Sequence, residues 1–155
     1  MKSLRLLLLL SAAAVIGAGA QTAAAGVHHH HSCLSVNATA IGQDLGHGRT
    51  TSTIVHAGIL DGTTTGQLHA IGEASHHVLT VAGTGMLTAN NGTLTLSVQG
   101  TINQATGAID VSGHVVGGTG LFAHATGQLM FVGVEDLTNG SFANTITGTV
   151  CLAHR

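Results

Sequence analysis

The chain has 155 residues, 44% of them hydrophobic, 6% charged and 2% aromatic, with 23 Gly and no Pro, Trp or Tyr. Four Lys and Arg scattered over that length exclude a phosphate-tracking surface, which needs clustered cations and, for single strands, aromatic platforms. So apolar a composition with so little charge also excludes disorder driven by charge repulsion.

Met1-Lys2-Ser3-Leu4-Arg5 is a short positive start, Leu6 to Ile16 is an apolar run, and Ala18-Gly19-Ala20 matches an A-x-A cleavage pattern. This has the form of a secretory signal peptide over residues 1–20, and Ala23-Ala24-Ala25 would extend cleavage to 25. The apolar run falls short of the ~20 residues that span a bilayer. The expected organisation is therefore a cleaved signal peptide, a flexible His-rich tail over residues 21–32, and one domain over residues 33–155. The mature chain would be secreted or periplasmic, and no longer associated with a membrane. It keeps two basic residues, Arg49 and Arg155, against six acids, a formal −4 with all 12 His neutral.

The tail contains His28-His29-His30-His31. Neutral imidazole binds Cu, Zn and Ni, so these four histidines are the candidate metal ligands. Cleavage after Ala25 would place His28 third from the amino terminus, in Gly26-Val27-His28. There a free amine, two backbone nitrogens and the imidazole make a square-planar Cu(II) or Ni(II) site. The competing reading is a solvated tail with no physiological ligand.

Two cysteines in an exported chain read as one disulfide, Cys33 to Cys151. The alternative is two free thiols assisting the histidines at a metal. From residue 34 onward apolar and polar residues alternate with period two, the signature of half-buried strands. The runs are Leu34 to Ile41, Thr50 to Leu60, Gly66 to Ala74 and His77 to Ala82, the last continuing near Met86. Leu94, Leu96, Val98 and Ile102 follow, then Ile109, Val111 and Val115, then Leu129 and Phe131, and finally Phe142, Ile146, Val150 and Leu152. Pairs ending in Gly (Thr65-Gly66, Asn91-Gly92, Thr106-Gly107, Thr126-Gly127 and Asn139-Gly140) read as tight turns. The fold class is all-β: a closed eight-stranded antiparallel barrel. In a closed meander of even strand number the first and last strands meet, so Cys33 and Cys151 would staple the seam.

Gly117-Gly118-Thr119-Gly120-Leu121-Phe122-Ala123-His124-Ala125-Thr126-Gly127 resembles the signature of dirigent proteins and allene oxide cyclase-like barrels. Gly140-Ser141-Phe142 and Ile146-Thr147-Gly148-Thr149-Val150 are similar to that family's closing strand, and the similarity covers roughly residues 107 to 152. The resemblance implies a secreted barrel, often a homo-oligomer, with a central cavity for a small apolar molecule. Phe122, Phe131 and Phe142 are the candidate cavity residues. It also implies either non-catalytic steering of a reactive partner or, as in the cyclases, isomerisation of a folded polyene. Leu121 stands where the family carries a basic residue. No acid is expected on the inward rows, since Asp110 falls on the polar face and Asp61, Glu135 and Asp136 fall near turns.

No H-E-x-x-H, G-x-S-x-G, P-loop or C-x-x-C occurs, so no catalytic residue is assigned. Two functions remain as expectations: a dirigent-like barrel holding a small apolar or extracellular ligand without catalysis, and a secreted protein that binds Cu, Zn or Ni through its amino-terminal histidines. A cyclase or isomerase of the allene oxide cyclase type is the third.

Overall fold

The computed structural model describes residues 31–153. The expected signal peptide and the side chains of the histidine tetrad lie outside the described residues. Eight strands follow one another: β1 (His31–Asp44), β2 (Arg49–Val55), β3 (Gly62–Ser75), β4 (Val78–Ala89), β5 (Gly92–Asn103), β6 (Ala108–Gly118), β7 (Thr126–Glu135) and β8 (Ser141–Ala153). Each pairs antiparallel with its neighbour, and β8 returns to β1, closing the barrel. β1 opens at His31, two residues ahead of the domain start expected at Cys33.

Closure follows from the pattern of alternation. Val36, Ala38 and Ala40 of β1, Leu94, Leu96 and Val98 of β5, and Ile146, Val150 and Leu152 of β8 are all buried in one core. The outer face pairs Thr39 with Thr145, Thr53 with Thr63 and Thr88 with Thr93. Rolling the sheet hides these inner apolar rows together and leaves no unpaired edge, while Ile41, Val132 and Val134 remain exposed outside. Apolar inside and threonine-rich outside is the inverse of a barrel that faces lipid.

The seam forms as the strand count requires. β1 and β8 pair from His31↔Ala153 to Gln43↔Ser141, with Cys33 directly opposite Cys151. Those two form a disulfide across a sequence separation of 118 residues, and no cysteine is free. A metal site using a free Cys33 or Cys151 thiol is thereby removed.

Three local expectations are corrected. The run Thr50 to Leu60 is not one strand: β2 stops at Val55, and Gly58–Leu60 is a 3₁₀ turn. His56 and Gly58, at φ 65° and 64°, take left-handed backbone that a strand cannot continue through. Thr65-Gly66 is no turn but lies inside β3, where Gly66 pairs with Thr50 and Gly85. Thr126-Gly127 likewise opens β7.

The two ends of the barrel differ. One holds the disulfide, the Asn90–Asn91 turn and two longer connections, each with a 3₁₀ turn: Gly58–Leu60 and Gly120–Phe122. Leu60 and Phe122 from those turns are 2% and 0% exposed, so they act as stoppers. The other end consists of the hairpin turns at residues 45–48, 76–77, 104–107 and 136–140. Nothing equivalent to Leu60 or Phe122 is carried on them.

Candidate functional site: a one-ended cavity

The inner rows are thin. Ala38, Ala40, Gly42, Gly66, Gly85, Gly113 and Gly133 share the inward parity with the core aliphatics. An eight-stranded barrel is just wide enough to be filled by side chains, and small inner residues leave room for one ligand instead. The outcome is a cavity of about 600 Å³, whose lining also takes in the outward-facing Thr65, Thr84 and Met86 beside the Gly66–Gly85 pair. Its floor is Ala40, Ile54, Leu87, Leu94 and Leu129, and its walls include Leu68, Val81, Leu96, Val111 and Phe131. It reaches the hairpin end, where Asp44, His47, Gln104, Glu135 and Leu137 line it.

Of the three candidate phenylalanines, Phe131 and Phe142 line the cavity. Phe122 sits elsewhere: it is fully buried at the opposite end, in the 3₁₀ turn packed on β5, β6 and β8. The signature turn is part of that stopper. Gly117 and Gly118 end β6, the Thr119 hydroxyl meets that of Thr93 at 2.8 Å, and Gly120, at φ 59°, packs on the Asn91 carbonyl where a Cβ would clash.

The acids missed on the inward rows are the main correction to the sequence reading. Glu135 continues the β7 row Leu129, Phe131, Gly133, and Asp44 continues the β1 row Ala38, Ala40, Gly42. Both line the cavity. They are brought together because the β1–β8 ladder runs on past the strands: Asp44 N–H donates to the Gly140 carbonyl at 2.8 Å. The Gln43 amide donates to the Asn139 carbonyl beside it. Asp136 accepts from the Thr138 amide at 2.9 Å and from the Asn139 side chain at 2.9 Å, which fixes the facing turn. Partial burial, and then the charge of Asp44, hold the Glu135 carboxyl above its ordinary range. No ion pair relieves either group among the described residues.

One step deeper lies Asn144, 8% exposed, with a side-chain oxygen that has no hydrogen-bond partner among the described residues. Gly133 stands opposite it in β7, and the Asn144 oxygen occupies the space that a Cβ there would take. An unpaired buried acceptor costs ~1–3 kcal/mol, and this one is shielded from the cavity, packed over Gly133. Ser52, the other buried polar residue, is satisfied by the Thr64 hydroxyl at 2.6 Å.

The remaining histidines do not converge. Among the described residues no group of three or more His, Cys, Asp or Glu could hold a metal ion. His76 and His77 do bring two imidazoles together at the hairpin end. They form the β3–β4 turn itself, with ring centroids 3.8 Å apart. His28, His29 and His30, and the side chain of His31, lie outside the described residues. Among the described residues no helix is long and apolar enough to cross a membrane. No family model and no curated protein matches the chain.

Proposed function

We propose that the protein is an exported barrel that binds a small, mainly apolar molecule in its one-ended cavity, as the dirigent resemblance implies, holding its ligand rather than transforming it. The observation that carries this is the cavity of about 600 Å³ between an aliphatic floor and a polar rim. Ligand sites are concave, mostly apolar and marked by a few convergent polar groups, and the size lies in the usual range of ~300–1,000 Å³. The disulfide suits an oxidising compartment outside the cytoplasm.

Gly85 provides the test. It lines the cavity, and a Cβ there would meet Leu96 and Val98 only at 3.9 Å, ordinary contact distance. Gly85→Leu should therefore fill the space without displacing backbone. The wild type should bind the uncharged fluorophore N-phenyl-1-naphthylamine saturably and one-to-one, and Gly85→Leu should bind it at least tenfold more weakly at nearly unchanged Tm. Absence of saturable binding to the wild type refutes the reading.

A second reading, isomerisation in the allene oxide cyclase manner, is favoured by one observation: Glu135, Asp44 and Asn144 supply the inward polar groups that the sequence had not shown. Under it Glu135→Gln would abolish turnover while leaving ligand affinity within a few-fold.

A further inference from the structure

The polar groups at the cavity's open end are arranged around one ring. Register places Phe142 directly opposite Glu135 in β7 and opposite Gly42 in β1, two residues short of Asp44. The ring covers Gly42, where its Cζ occupies the space of a Cβ. Asn144 is the next inward residue along β8, one step towards the floor. An aromatic ring and two carboxylates thus share one wall of an apolar chamber. All of them favour positive charge or a hydrogen-bond donor: ring faces attract cations, and carboxylates accept only.

Among the described residues no Lys or Arg meets this wall, and His47 and His69 are the imidazoles along the same lining. Arg49 is the one Lys or Arg among the described residues, and its parity in β2, against the inward Thr50, Ser52 and Ile54, turns it outward. Asp44 receives the Gly46 N–H at 2.8 Å, which occupies one of its oxygens.

We infer that the cavity selects an organic cation, a primary amine on an apolar body, with its ammonium held by Asp44, Glu135 and the Phe142 ring. This rests on the reading of the cavity as a ligand site, and it names the ligand's class. The apolar body occupies the space above Leu94 and Leu129, and the head group stays near the rim, where desolvating a charge costs least.

The test compares n-octylamine, n-octanol and n-octanoate by titration calorimetry at pH 8. Equal chains make the head group the only variable. Octylamine should bind at least tenfold more tightly than octanol, and octanoate should bind most weakly. The Asp44→Asn, Glu135→Gln double variant should lose the amine's advantage and keep octanol affinity within about twofold. Should that variant not fold, added NaCl on the wild type serves instead: it should weaken octylamine several-fold and leave octanol unchanged. Octanol binding as tightly as octylamine overturns the inference and leaves the apolar-ligand reading standing. If neither binds, both fall.

Discussion

The two ends of this barrel are built from the same strands and carry opposite features. At the stoppered end Phe122, Leu60 and Val150 are at most 2% exposed, and a disulfide ties the first strand to the last. At the hairpin end Asp44, His47, Gln104, Glu135 and Leu137 surround an unfilled interior. Stability is thus concentrated where the chain crosses and caps, and binding chemistry is concentrated where short turns leave the tube open. Rim groups left unpaired are tolerated because the opposite end supplies the packing.

The largest effect that would separate the two ends is loss of the disulfide. Cross-linking across 118 residues restricts the unfolded chain, so Cys33→Ser with Cys151→Ser should cost up to about 4–5 kcal/mol in denaturant unfolding. Phe122→Ala comes next, at about 3–5 kcal/mol, because a fully buried ring is removed from a packed stopper. Phe142→Ala at the other end should cost only ~1 kcal/mol, since that ring borders a cavity and loses little packing. Equal losses for Phe122→Ala and Phe142→Ala would break the distinction between the ends.

The smallest effect is a change of sign. Burial and Asp44 raise the folded pKa of Glu135 above its ordinary value of 4.5, so folding favours the protonated form. The stability this contributes is present in full below the unfolded value and disappears as pH rises through the folded one. Glu135→Gln should therefore raise Tm slightly at pH 8 and leave it unchanged at pH 3, measured by calorimetry. A lower Tm at pH 8 would mean that the carboxylate has a stabilising partner.

Strand number, closure and the Cys33–Cys151 seam were legible in the sequence because they rest on alternation and strand parity; the glycine pairs were a weaker guide, since Thr65-Gly66 and Thr126-Gly127 belong to strands. The stoppers were not legible. Leu60 was read as the end of a strand and Phe122 as a cavity residue, since what each fills is set by strands far away in sequence. The rim acids were legible in principle: Glu135 keeps step with Leu129 and Phe131, and Asp44 with Ala38 and Ala40. Proximity to turns obscured them, because a turn usually ends the meaning of parity. Here the β1–β8 ladder continues through Asp44 to Gly140 and preserves it. Asn144 had the same parity as Phe142 and Ile146, but that its oxygen is unpartnered becomes visible only once the barrel is closed.

Methyl NMR during titration with N-phenyl-1-naphthylamine tests the one-ended cup most directly. Leu68, Val81, Leu96 and Leu129 line the cavity, Leu60, Val36 and Leu152 belong to the stoppered end, and Ile41, Val132 and Val134 lie exposed on the outer wall. Saturable shifts should fall on the first group and spare the other two. Shifts confined to Ile41, Val132 and Val134, or none at any ligand concentration, would contradict it.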